Sequence, residues 1–244
     1  MNTLPLSCYS LARHFTLMGA FALGAAFTFS PIGPASVYSA PPTAATPAEA
    51  RHEALFDGKT FTGWEGDTEK TWRIEDGCFT AGSPTGKQPR NEFLSTKANF
   101  GDFELKLKFK VTGDPKTGEV NSGVQIRSER IPNHHEMIGY QADLGDPKYW
   151  GALYDESRRK KILAGVDMAK VEPALKRNDW NEYTIRCEGA RVQLFINGLQ
   201  TVDYTEEDKS IPLTGKIAVQ IHSGGNTQVW FKDIVLVKLG ADAK

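Results

Sequence analysis

Between Gly101 and Gly113 the chain alternates apolar and charged side chains. Phe103, Leu105, Leu107, Phe109 and Val111 are separated by Glu104, Lys106, Lys108 and Lys110. A period of two sends the first set to one face of an extended backbone and the second to the other. The segment therefore predicts a long, half-buried antiparallel strand, which must find a second sheet to cover its apolar side. The same alternation runs through Val192, Leu194 and Ile196 to Asn197-Gly198, after which the chain returns along 199–204. Asn-Gly supplies the two positive φ angles of a type I′ turn, so a tight hairpin is expected there. Further strands are predicted at 71–75, 78–81, 92–96, 120–127, 137–144, 151–154, 180–187, 215–222 and 228–238, with turn residues such as Glu75-Asp76-Gly77 between them. Only 166–176 reads as helical, and Pro173 interrupts it. Many short strands without crossover helices predict one all-β domain over 52–240, built of two antiparallel sheets as a sandwich or jelly roll.

The opening of the chain is of another kind. After Arg13 and His14, residues 15–29 are uncharged and largely apolar, and small residues follow up to Ser39 and Ala40. That run is shorter than the roughly 20 residues of a spanning helix, so 1–40 reads as a secretory signal peptide and 41–51 as a Pro/Ala-rich linker. A periplasmic or extracellular location is expected, with no membrane span once the signal is removed. Of the 29 basic side chains only Arg13 lies in the signal segment, so 28 face 30 acidic ones. Such balance gives no footprint for nucleic acid, and the short run Arg158-Arg159-Lys160-Lys161 reads as a solvated loop. An oxidising compartment would permit a bridge between Cys78 and Cys187, but two distant cysteines make no framework. Cys187 alternates with Tyr183 and Ile185, which suits a small buried hydrophobe. Oligomeric state leaves no trace in the sequence.

Three strands carry an unusual second face. In 120–127, Val124 and Ile126 lie opposite Asn121, Gln125 and Arg127. In 137–144, Tyr140, Ala142 and Leu144 lie opposite Gln141 and Asp143. In 215–222, Ile217, Val219 and Ile221 lie opposite Gln220 and His222. The polar set holds amides, a carboxylate, a guanidinium and an imidazole, whereas the second face of the strand after Gly101 is nearly all lysine. Amides and arginine are directional partners for vicinal hydroxyls. Neighbouring strands of this kind would line a groove suited to a sugar, and a plain wet sheet face is the other reading of the same residues.

A set of short segments, in order along nearly the whole domain, gives this pattern a family. They include Leu55-Phe56-Asp57-Gly58-Lys59, Gly63-Trp64, Asp102-Phe103-Glu104-Leu105, Asn121-Ser122-Gly123-Val124-Gln125-Ile126-Arg127, Gly139-Tyr140-Gln141, Gly151-Ala152-Leu153-Tyr154, Trp180-Asn181-Glu182-Tyr183 and Ala218-Val219-Gln220-Ile221-His222. Together they resemble the bacterial 3-keto-disaccharide hydrolases, also described as 3-keto-glucoside 1,2-lyases and 3-keto-2-hydroxyglucal hydratases. The resemblance implies a concanavalin A-like jelly roll with a carbohydrate ligand on its concave face. It also implies a chemistry: a ketone at C3 acidifies the C2 hydrogen, a base takes that proton, and the C1 substituent leaves by β-elimination before water adds. Such a site needs a base, an enolate stabiliser and an acid.

Many members of that family carry Glu after the Gly-Tyr pair, where this chain has Gln141, and an amide is no general base. The base is then expected to be Asp143 or His222, with Asp146 behind them, Arg127 as enolate stabiliser and Tyr154 as acid. Asn121, Gln125, Gln141 and Gln220 would bind substrate, Trp150 would offer a stacking face, and Glu156 and Arg158 would close the groove from a loop. A non-catalytic carbohydrate-binding domain is the alternative. Direct glycoside hydrolysis by two carboxyls is disfavoured, because Gln141 stands where the first would be. No cofactor is specified: a divalent ion could bind a keto-enolate, but no ligand spacing demands one. His134-His135-Glu136 reads as loop, since adjacent extended side chains point opposite ways.

Overall fold

A computed structural model describes residues 52–240; the expected signal peptide and linker lie outside them. In chain order the strands are β1 His52–Ala54, β2 Trp64–Glu65, β3 Arg73–Glu75, β4 Cys78–Gly82 and β5 Glu92–Thr96. They continue with β6 Phe103–Thr112, β7 Asn121–Arg130, β8 Met137–Gly145, β9 Leu153–Glu156 and β10 Lys161–Ala164. The last five are β11 Asn181–Glu188, β12 Arg191–Ile196, β13 Leu199–Thr205, β14 Lys216–Ile221 and β15 Gln228–Lys238. One sheet runs β13-β12-β11-β6-β15-β4-β3, with β1 also on β15, and the other runs β10-β9-β8-β7-β14-β5-β2. All pairings are antiparallel. The domain is an all-β jelly-roll sandwich.

β6 sits inside the first sheet, and its five apolar residues are all buried. They meet Val124, Ile126, Tyr140, Ala142, Leu144, Ile217, Val219 and Ile221 of the second sheet in one continuous core. The hairpin of β12 and β13 turns at Asn197 and Gly198, with φ of 49° and 82°. The expected helix is a single turn, α1 Met168–Val171, capped by the Asp167 carboxylate on the Ala169 amide. β1, β2 and β10 are too short for alternation to reveal them, and the strand expected at 151–154 lies at 153–156. Both described cysteines are buried and free: Cys187 faces the core, while Cys78 lies on the outer face beside the core residue Phe79.

One backbone irregularity redirects a residue that the alternation assigns to the groove. The register between β7 and β8 shifts between Ile126 and Glu129, and Arg127 sits in the left-handed region at φ 46°. A bulge of this kind inserts an extra residue and re-aims the side chains around it. Arg127 therefore leaves the groove face. Its guanidinium, wholly inaccessible, donates to Gly101 O at 2.9 Å, Gly189 O at 2.6 Å and Asp102 Oδ1 at 2.7 Å. It clamps the second sheet to connections of the first. The assignment of Arg127 as enolate stabiliser is therefore corrected: it is a structural residue.

A second ionic cluster joins the sheets at the β9 side. The Tyr140 hydroxyl donates to Glu206 Oε2 at 2.6 Å, and Arg159 reaches both Glu206 and Asp155. Burial pushes the Glu206 carboxyl up, but hydrogen bonds from Arg159 and Tyr140 outweigh it and hold the group down at about 2. Arg158 also pairs with Asp155 and lies over the Tyr140 ring, 4.8 Å from its centroid. Half of the basic run expected as a solvated loop is thus tied into the domain, and Arg158 does not close a groove. Replacing Arg127 by Met takes the guanidinium from two carbonyls and leaves the Asp102 carboxylate with the Gly189 N–H at 3.0 Å. Urea unfolding of R127M is expected to show a loss of roughly 2–4 kcal/mol.

Candidate functional site

The outward face of the second sheet holds a hollow of about 190 Å³. Asn121, Gln141, Asp143, Tyr154, Glu156 and His222 line it, joined by Asn91, Glu119 and Tyr149. The strand register explains the gathering. Asp143 on β8 faces Gly123 on β7, which faces Gln220 on β14, and one step along Gln141 lies between Gln125 and Tyr154. Every second residue of four adjacent strands thus reaches the same face.

Gly123 gives this face its depth. A Cβ on it would stand 2.7 Å from the Gln141 side chain, so only glycine lets that amide lie flat across β7. Gln141 uses the space fully. Its Nε2 donates to Asp143 Oδ1 at 2.7 Å and to Gln220 Oε1 at 3.2 Å, while its Oε1 accepts from Gln125 Nε2 at 2.7 Å. Ser128 Oγ in turn donates to Gln125 Oε1 at 2.6 Å. Gln125 and Gln220 are completely buried and do not line the hollow. Their expected contact with substrate is corrected: they form the layer beneath, and its function is to fix Gln141.

Trp150, expected as a stacking face, is also corrected. It is buried beside Phe109, with ring centroids 6.4 Å apart, and its Nε1 donates to Asp146 Oδ1 at 3.0 Å. Its neighbour Tyr149 faces the hollow instead. Asp146 is held by Arg177 at 2.7 Å and does not line the hollow. Asn91, Glu119 and Tyr149 were missed because they flank strands, where alternation gives no direction. Asn121 Oδ1 is buried without a partner among the described residues, while its Nδ2 donates to Glu119 Oε1 at 3.1 Å. That oxygen is available to a hydroxyl donor.

The hollow separates two protonation chemistries. His222 Nδ1 lies 2.9 Å from Ser223 O. A carbonyl can only accept, so Nδ1 carries a proton, and in the neutral ring Nε2 is the nitrogen with the lone pair. Glu119 Oε2 lies 3.6 Å from Nδ1 on the same side of the ring. Asp143 is 3 % exposed. Burial pushes its carboxyl up to about 8; the Gln141 amide opposes this, and the charges of Glu156 and Glu119 add to it. Glu156 is likewise raised, by burial and then by Glu136, and the Tyr154 hydroxyl by burial and then by Glu156 and Asp143. Among the described residues no three His, Cys, Asp or Glu side chains are grouped to hold one metal ion. A cavity with three carboxyls and one imidazole favours an uncharged ligand rich in hydroxyls over an anion.

Over residues 51–237 the chain matches the family described as the 3-keto-alpha-glucoside-1,2-lyase-like domain. It belongs to that family. A 3-keto-disaccharide hydrolase of Bacteroides thetaiotaomicron is 33% identical over 84 residues, 32% of this chain and 27% of the relative, so the match spans about a quarter of that protein. Among solved structures, a candidate glycosyl hydrolase from Parabacteroides distasonis has a TM-score of 0.57 at 21% identity, covering 78% of this chain and 94% of its own. A carbohydrate-binding module from Bacillus subtilis has a TM-score of 0.55 at 12% identity, covering 72% and 96%. These likenesses carry the fold alone.

In this lyase-like domain the raised Asp143 carboxyl has a consequence for stability. Between its ordinary value of 3.8 and about 8 the folded chain holds a proton that the unfolded chain has released. Stability from this group is therefore complete below about pH 4 and is lost as pH rises through 8. Asn cannot ionise and can still accept from Gln141. Thermal or urea unfolding of D143N is expected to show a gain on the order of 2 kcal/mol over the parent near pH 8, shrinking to nothing near pH 4.

Proposed function

We propose that the domain cleaves 3-keto-glycosides by elimination across C1 and C2, with water addition completing a net hydrolysis. The observation that carries this reading is the pairing, in one small hollow, of a buried carboxyl that keeps its proton at neutral pH with an imidazole whose Nε2 is free. Elimination beside a ketone needs these two groups, one to take the C2 proton and one to hold the charge that arrives on the C3 oxygen.

His222 Nε2 removes the C2 proton, and the electron pair moves into the enolate. Asp143 is the enolate stabiliser: Gln141 occupies Oδ1, so the proton sits on Oδ2 and is donated to the ketone oxygen. A carboxylic acid kept neutral by an apolar surround is a known means of stabilising an enolate. As the enolate collapses the C1–O bond breaks, and Tyr154 gives its proton to the departing oxygen. A phenol with a raised pKa still protonates an alkoxide, which is the stronger base. Water then adds to the C1–C2 double bond. Asn121 Oδ1 and Tyr149 orient the ring hydroxyls. The apolar opening of the chain supports export, which would set the reaction outside the cytoplasm.

A second reading, a non-catalytic carbohydrate-binding domain, is favoured by Gln141 at a position where an acid would be more directly catalytic. Purified protein given a 3-keto-glucoside and its unoxidised parent separates the two. Turnover of the keto sugar alone supports the enzyme, and saturable binding without product overturns it. H222A should lose about 10²–10⁴-fold in kcat. D143A should lose about 10²–10³-fold, and D143N less, because an Asn Nδ2 can still donate to the oxyanion. If Asp143 were the base, Asn and Ala would be equally inactive. The alkaline limb of the parent kcat/KM profile is expected near pH 8 and absent in D143N.

A further inference from the structure

A hollow of about 190 Å³ has room for one pyranose ring, so whatever is bonded to C1 must lie outside it. Two neighbouring depressions could take it. The first, about 650 Å³, is charged, with Glu65, Asp67, Arg90, Glu92 and Arg130 among its walls. It shares no lining residue with the hollow. A partition stands near both, in which Asn91 Nδ2 donates to Glu136 Oε1 at 3.0 Å and His135 Nδ1 donates to Asn91 O at 3.0 Å.

The second depression, about 620 Å³, shares Glu119 and Tyr149 with the hollow and is therefore its continuation. Pro115, Val120, Pro147 and Tyr149 give it apolar walls. Two of its charged residues pair with one another, Arg177 Nη1 donating to Asp146 Oδ1 at 2.7 Å and Arg177 Nε to Glu172 Oε1 at 2.6 Å, while the third, Glu119, accepts from Asn121 Nδ2 at 3.1 Å and has its other oxygen 3.6 Å from His222 Nδ1. A second sugar would find few free donors or acceptors on this shelf, while an alkyl or aryl group would lose apolar surface to it.

We infer that the departing group is an apolar alcohol, alkyl or aryl, seated on the Pro115–Val120–Pro147–Tyr149 shelf, rather than a second sugar. The inference rests on the assignment of the reaction to the hollow, and the test separates the two. Calorimetry with unoxidised methyl, butyl and hexyl glucosides of both anomers measures the shelf without any chemistry. The matching 3-keto-glucosides, whose alcohols have nearly equal acidity, measure the reaction.

In both arms affinity, as Kd or KM, should improve about twofold per methylene. That is about half the factor for full burial, because the shelf is open. Pro115→Asp, an exposed position, should flatten this dependence and leave the methyl compounds unchanged. A flat series, or one that stays steep in P115D, overturns the shelf. Tighter binding of a glucosyl-glucose than of hexyl glucoside would also overturn it. A steep binding series with no turnover of any keto sugar keeps the shelf and removes the reaction, whereas turnover with a flat series does the reverse.

Discussion

A carboxyl group taken almost wholly out of water is the constraint on which the rest of this site depends. Asp143 would be costly as an anion at its depth, since charge in a poorly solvated position is penalised and the simplest relief is to keep the proton. The surrounding layer is built to suit that state. Gln125, Gln141 and Gln220 form a buried row of neutral amides, and only one of their hydrogen bonds reaches the carboxyl. A lysine or arginine at any of those positions would draw Asp143 back to its ordinary range and leave a carboxylate with nothing to donate. Fixed dipoles hold the group in place without supplying the charge that would ionise it. The same burial that weakens the folded state near neutrality is what the proposed reaction draws on, as expected where function and stability compete.

The position of that layer depends on a defect one step further along β7. With regular pleating past Ile126, Arg127 would stand on the same face as Gln125, close enough in register to place a permanent positive charge on the amide row. The bulge between Ile126 and Glu129 removes it and turns its Nε, Nη1 and Nη2 to Gly101, Gly189 and Asp102. One irregularity thus does two things: it joins the sheets, and it keeps the floor of the hollow neutral. The Glu206 cluster ties the sheets on the β9 side in the same way, with its charges turned away from the hollow.

Alternation made most of this legible. It revealed two half-buried sheets, and it assigned Gln141, Asp143 and His222 to one face, because side-chain direction in a strand follows from parity. It failed wherever parity breaks. Arg127 follows a bulge that no residue type announces. Trp150 and Tyr149 lie in a turn, where adjacent residues exchange roles, and the larger aromatic went to the core. Asn91 and Glu119 precede strands and are brought to the hollow by tertiary packing. Depth was invisible as well: Gln125 and Gln220 have the right parity, but only coordinates show Gln141 lying over them in the space that Gly123 leaves.

Gln141 itself then needs no compensation elsewhere. A glutamate there would put a second carboxyl within hydrogen-bonding distance of Asp143, and such a pair shares one proton whose place shifts with each step of a reaction. The amide removes that ambiguity. Its nitrogen can only donate, so Oδ1 of Asp143 must accept, and the proton has one remaining seat on Oδ2. For the proposed reaction this commits Asp143 to donating, and the removal of a proton would pass to the imidazole of His222. On that proposal, glutamine in place of the expected glutamate puts the base just beyond β14 rather than on β8.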